Sequence, residues 1–233
     1  MVKKNSQDSY YNNFFEEINY KGTTGLLMNF IWKFMEYSHK GKNYRNVLEI
    51  GSTHLEHLRF IRHTYQTYVA SDIVEFPLHH TAKEVIGKLP KNQKVKKDIA
   101  DAHQLKYRSN SFDRVLVTCL MHHLSYPEKA FSEMLRVTKK GGQISIFIPN
   151  DPGMLYRTAR YWTTHKRSRN LEQQNKITNH KYLWATEHRN HVFGLTVMLR
   201  EIFKNEEIKV RRFPPWIKPW NLGFFTVYEI KKN

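Results

Sequence analysis

The chain has 233 residues, of which 40% are hydrophobic and one, Cys119, is a cysteine. That length suits a single domain with a substantial core, and a lone cysteine excludes an internal disulfide framework and a cysteine-based zinc cluster. The formal net charge of +17 points to a partner that carries phosphates, whether nucleic acid, an anionic membrane surface or a phosphorylated small molecule; a compositional bias toward Lys and Asn is the blander explanation. With no run of 18 apolar residues and no continuous apolar stretch near Met1, a cytoplasmic protein is expected.

In chain order, residues 9–38 read as helical, with apolar side chains at 27, 28, 31, 34 and 35 forming a stripe. A strand is expected at "NVLEI" (46–50), followed by a helix over "HLEHLRFIRHTY" with Leu55, Leu58 and Ile61 on one face. Further strands are expected at "TYVASDI" (67–73), more weakly in "KVKKDIADAHQL" before Asp101, and at "FDRVLVTCL" (112–120). "PEKAFSEMLRVT" (127–138) reads as a helix, "KKGG" as a turn, and "GQISIFIP" (142–149) as a fifth strand. This βα alternation predicts an α/β fold with a doubly wound parallel sheet.

After Pro149 the pattern changes. Residues 150–193 are rich in Arg, Tyr, Trp and His and show no strand period, and "LTVMLREIF" (195–203) looks helical. Two last strands, "EIKVRRF" (207–213) and "GFFTVYEI" (223–230), have no helix between them. They must pair antiparallel, because a parallel pair needs a long crossover.

"VLEIGSTHLEHL" (47–58) breaks the usual glycine spacing of a nucleotide-binding turn: Gly51 is present, but 53 and 55 are Thr and Leu. Even so, "LEIGS", "VASDI", "DIADAHQL" before "SFDRV", "VTCLMHHLSYPEKAFSEMLRVTKKGG" and "ISIFIPN" follow in an order that resembles the class I S-adenosylmethionine-dependent methyltransferases with a UbiE-like core. The likeness covers roughly residues 45–149 and the closing hairpin. It implies a Rossmann-like, seven-stranded sheet in one domain spanning 1–233. Within it would lie an N-terminal helical cap (1–43), a cofactor-binding core (44–149), an acceptor-binding lid (150–206) and the hairpin (207–233).

The same likeness implies S-adenosylmethionine as cofactor, held by Glu49, Gly51, Ser52, Asp72, Ile73, Asp101, Ala102, Thr118 and Cys119. A carboxylate needs less backbone clearance than a pyrophosphate, so Gly51 followed by small Ser52 and Thr53 can suffice at a helix start. Read without the likeness, "GSTHLEH" is a capped helix start. Asp72 ends the second strand, where an acid accepts hydrogen bonds from ribose hydroxyls. Asp101 would meet the exocyclic amine of adenine, with Asp98 a second candidate. Cys119 reads as a small apolar wall.

For chemistry, His123 and His122 follow the fourth strand at the mouth of the cleft, where a hydroxyl acceptor needs a base. Packing against the next helix is the structural alternative for His123. "ATEHRNHVFG" adds His188 as another base candidate, with Glu187 and His191 beside it; no metal is expected. Tyr11, Arg157, Tyr161, Glu187 and His191 are the expected acceptor-binding residues. The basic–aromatic stretch "YRTARYWTTHKRSR" (156–169) suits phosphates, a stacked base or peripheral contact with a membrane. The expected enzyme methylates a hydroxyl or amine of a small, anionic or phosphorylated acceptor such as a sugar or nucleotide-linked sugar, by likeness to surface-polysaccharide pathway members. An RNA methyltransferase and a non-catalytic scaffold are the alternatives.

Overall fold

The computed structural model describes residues 22–174 and 180–233. Seven strands form one sheet in the order β3-β2-β1-β4-β5-β7-β6. They are β1 (Asn43–Ile50), β2 (Thr64–Asp72), β3 (Lys94–Ile99), β4 (Phe112–Val117), β5 (Thr138–Pro149), β6 (Glu207–Phe213) and β7 (Phe225–Lys231). The first five pair in parallel, whereas β7 lies antiparallel between β5 and β6. Strand order reverses between β1 and β4, which opens a crevice at their carboxyl ends. The doubly wound sheet and its antiparallel closing hairpin are as the sequence implied.

Because side chains alternate across a strand, each central strand feeds two layers. Leu48, Ile50, Val115, Val117, Ile144, Ile146 and Ile148 point to one face and pack under α3 (Pro127–Val137) and α7 (Val192–Ile202). The opposite face meets α1 (Gly22–Tyr37), whose Ile31 and Met35 pack against Phe147, Phe225 and Val227. Residues 9–21 of the expected first helix lie outside the described residues.

On this α1 face the apolar layer is interrupted by charge. Arg114, fully buried, donates to both oxygens of Glu36 at 3.0 and 2.7 Å. Burial alone would raise the Glu36 carboxyl, but Arg114 and His57 overcome this and hold it well below the usual carboxylate range. His57 sits between two acids, 3.2 Å from Glu36 and 3.4 Å from Glu49. Burial opposes its charge, yet Glu49 and Glu36 raise it to about 9. Acids, a guanidinium and an imidazolium thus share one buried layer.

That layer explains a departure from the expected elements. The segment after β1 is not an α-helix: Glu56–Phe60 makes one 3-10 turn, and β2 begins at Thr64. An amphipathic helix would turn Glu56 and His57 toward water, whereas both are buried along with Leu55 and Leu58. Nor is "KKGG" a turn before β5. It is a bulge inside the strand, where Phe112 pairs with Thr138 but Arg114 already pairs with Gln143. Gly141, at φ +75°, supplies the left-handed residue.

The remaining helices are α2 (His80–Gly87), α4 (Met154–Arg160), α5 (Lys166–Gln173) and α6 (His180–Glu187), with a π-turn at Tyr161–His165 continuing α4 into α5. All but α2 follow β5, in the segment expected to form the lid.

Candidate active site

Gly51 opens the turn at the end of β1 with φ +72°, and Thr53 and Leu55 adopt φ +43° and +63°. Left-handed backbone therefore recurs at 51, 53 and 55 although only the first is glycine. The conformation costs a non-glycine residue about 1–2 kcal/mol, and a β-branched Thr is an outlier there. What holds it is local. Gly51 and Ser52 N–H groups donate to the Ser71 carbonyl, Thr53 N–H donates to Asp72 Oδ2 at 2.9 Å, and Leu55 is sunk in the core. A Cβ on Gly51 would stand 2.9 Å from the Leu120 side chain, so the close approach of the β1 and β4 ends requires glycine there. Without an α-helix directly after this turn, β1 does not lead into a helix N-terminus, and backbone and Asp72 shape the crevice there.

Asp72 accepts from Thr53 N–H through one oxygen and from Ile73 N–H at 2.7 Å through the other. Each carboxylate oxygen has a second lone pair, and burial raises this carboxyl above its ordinary value despite those bonds. Beside it, Ile73 and Ile99 are 63% and 54% exposed. Two large apolar side chains exposed at a strand edge next to an acid fit a flat heterocycle joined to a diol. Asp98 is engaged by Lys106 and Tyr107. Asp101 accepts from the His103 N–H and ring through a single oxygen, leaving the better-placed acid of the two, with buried Ala102 after it.

Glu49 is 1% exposed and bound by the Tyr68 hydroxyl at 2.6 Å, with Thr118 at 3.5 Å. Its carboxylate thus braces the floor of the crevice from within the fold. Cys119, at φ +60°, packs beside the Phe147–Phe225 cluster, and burial pushes its thiol up to about 12. A thiol held protonated in this way is a poor nucleophile.

Beyond β4 the chain gathers three histidines separated by 65 residues. Ring centroids of His122 and His123 are 4.0 Å apart, and His188 lies 4.4 and 4.9 Å from them. The β4 loop and the α6–α7 junction are tied by backbone: Arg189 and Asn190 N–H groups donate to the His122 carbonyl, and the Asn190 side chain donates to the Met121 and Leu124 carbonyls. His123 Nδ1 is 3.0 Å from the Glu187 carbonyl, which can only accept; the proton therefore sits on Nδ1 and the lone pair on Nε2. Burial lowers both His122 and His123, so both rings are neutral near pH 7.

Sequence reasoning missed Asp151. It is buried, 3.4 Å from His188 Nδ1, and its carboxyl is raised by burial although Arg160, His191 and Arg157 act against this. Its signal was positional, an acid two residues past β5 at the carboxyl edge. Arg160 lies over the Trp184 ring, which stacks on His188. Of the expected acceptor residues, Arg157 and His191 reach the neighbourhood of Asp151 and Glu187 that of His123, whereas Tyr161 is exposed and stacked on His165. Tyr11 lies outside the described residues.

Known proteins share this fold. Residues 48–146 match the methyltransferase domain family. Demethylmenaquinone methyltransferase of Renibacterium salmoninarum is 44% identical over 46 residues, a stretch covering 20% of this chain and 19% of that relative. Among solved structures, N-methyltransferase NodS of Bradyrhizobium japonicum, in complex with S-adenosylhomocysteine, matches over 99% of both chains (TM-score 0.61, 11% identity). A S-adenosylmethionine-dependent methyltransferase of Thermotoga maritima matches over 97% of this chain and 99% of its own (TM-score 0.55, 18% identity). At these identities the structures establish the fold, and the family match covers the strands that build the crevice. Over residues 48–146 the chain is thus similar to the methyltransferase domain family, and its fold is that of S-adenosylmethionine-dependent methyltransferases.

Proposed function

We propose that this chain transfers a methyl group from S-adenosylmethionine to a hydroxyl of a small, anionic acceptor, with His123 as base. The observation carrying the reading is a neutral imidazole, its tautomer set by the Glu187 carbonyl, at the end of the strand that borders the crevice. Bound in the crevice, the cofactor supplies an activated methyl on a sulfonium. The chain's part is then alignment, which can contribute roughly 7–11 kcal/mol, and removal of the acceptor's proton.

Asp72 would hold the ribose diol with Ile73 and Ile99 flanking the adenine, Asp101 would take the exocyclic amine, and Gly51 and Ser52 would line the path of the amino-acid end. Thr118 and Cys119 would wall the methyl's side. The acceptor would enter from the lid, where Arg157, Arg160 and Lys166 suit phosphate and Glu187 and His191 suit hydroxyls. A phosphorylated sugar or nucleotide-linked sugar meets both demands.

RNA is the second reading, favoured by the net charge of +17. It predicts retention that falls steeply with ionic strength. Incubation with labelled cofactor and separate pools of nucleotide sugars and RNA tests both: label in the sugar pool supports the first reading, and label confined to RNA overturns it. Calorimetry showing no cofactor binding at millimolar concentration would overturn both and leave a scaffold.

A further inference from the structure

One base needs one imidazole, and this site has three. His122, His123 and His188 each offer a donor atom within 4.8 Å of the other two, forming a group that could hold a metal ion. A tetrahedral ion with bonds of about 2.0–2.1 Å needs donors about 3.4 Å apart, within reach of modest ring rotations. One of the outer two rings is braced as metal-binding imidazoles are. His123 Nδ1 faces the Glu187 carbonyl at 3.0 Å, which turns its lone pair onto Nε2, and the Asp151 carboxylate lies 3.4 Å from His188 Nδ1. His122 gives an independent sign. It is 4% exposed, and its Nδ1 has no hydrogen-bond partner. A buried nitrogen without a partner loses its hydration uncompensated, and a cation would restore the balance.

We propose that His122, His123 and His188 form a three-imidazole site for a borderline divalent transition ion of the Zn²⁺ type, with the fourth position open to water or an acceptor oxygen. Imidazole ligands select such ions over Mg²⁺ or Ca²⁺. Asp151 is a positioning residue that orients His188. Only the kinetic consequence rests on the proposed function: a lone pair that holds an ion cannot accept a proton, so a loaded site silences the His123 base.

The test is equilibrium dialysis of the metal-stripped full chain against Zn²⁺, with Co²⁺ as the spectroscopic probe. One equivalent should bind, and the Co²⁺ form should show the intense visible bands of a tetrahedral imidazole site. His122→Gln and His188→Gln should each weaken binding at least tenfold, and Asp151→Asn by about 10–100-fold. Circular dichroism reports whether the buried His122 variant folds; the half-buried His188 variant keeps the test decisive if it does not. Absence of stoichiometric binding, or unchanged affinity in both His188→Gln and His123→Gln, overturns the site. Calorimetry with S-adenosylmethionine on the same sample separates the two ideas. Cofactor binding without metal sinks only this inference, and metal binding without cofactor sinks only the proposed function.

Discussion

His57 and His123 are the same side chain in opposite states. Beneath β1, His57 is enclosed by the carboxylates of Glu36 and Glu49, which raise it to about 9, so it is a buried cation. Past the end of β4, His123 is less deeply sunk, with 26% of its side chain exposed; its Nδ1 faces a carbonyl, and desolvation leaves it neutral. One group cements α1 to the sheet. The other keeps a lone pair available. Desolvation opposes charge on both; what separates them is that His57 has two carboxylates in contact, whereas the Glu187 carboxylate stands 4.0 Å from His123.

The comparison breaks most decisively at Arg114. Arg114→Met would leave Glu36 buried without its guanidinium, which typically destabilises by about 3–5 kcal/mol; a loss below about 1 kcal/mol in denaturant unfolding would show that the network is slack. On the other side, His123→Ala should lower turnover by about 10²–10⁴-fold with cofactor affinity retained. Matching losses of thermal stability and turnover would make His123 a packing residue. Next in size, Asp72→Ala should weaken cofactor binding by about ten- to a hundredfold, the scale of hydrogen bonds to a charged group, and calorimetry reads it.

The pH dependences of the two groups should also diverge. His57 titrates higher in the fold than the unfolded imidazole at about 6.5. Its contribution is therefore complete below about pH 6.5 and lost as pH rises through about 9, so the melting temperature should decline over that window in the wild type but not in His57→Gln. His122 and His123 are lowered instead, so turnover should hold constant down to about pH 6.5 and fall only below it. The smallest effect is expected at Thr53→Gly, where relief of the φ +43° backbone and the added freedom of glycine nearly cancel, within about 1 kcal/mol.

The sheet was legible in the sequence because β1, β2, β4 and β5 carry apolar runs, the first two closed by Gly51 and Asp72, and the closing hairpin followed from the missing crossover helix. The turn after β1 was misjudged as an α-helix. Leu55, Leu58 and Ile61 have helical spacing, but spacing cannot show that His57 is drawn inward by two acids, one of them on α1 far away in the chain. At the site, His122, His123, His188 and Glu187 could each be picked out locally, since each lies beside a recognisable strand end or polar cluster. Their meeting could not, because it depends on Arg189 and Asn190 docking on the His122 carbonyl across more than sixty residues. Asp151 escaped for the same reason: its role is set by His188, not by its neighbours in sequence.

Both margins of the sheet end in strands laden with cations, Lys94, Lys96 and Lys97 on β3 and Lys209, Arg211 and Arg212 on β6. An open margin displays unpaired amide and carbonyl groups on which a second copy can grow, and like charges set side by side oppose that growth. Part of the positive charge thus needs no anionic ligand to explain it. At high protein concentration it acts as a guard against self-stacking, and neutralising the exposed Lys94, Lys96, Lys97 and Lys209 should bring on fibrous aggregation while the crevice stays intact.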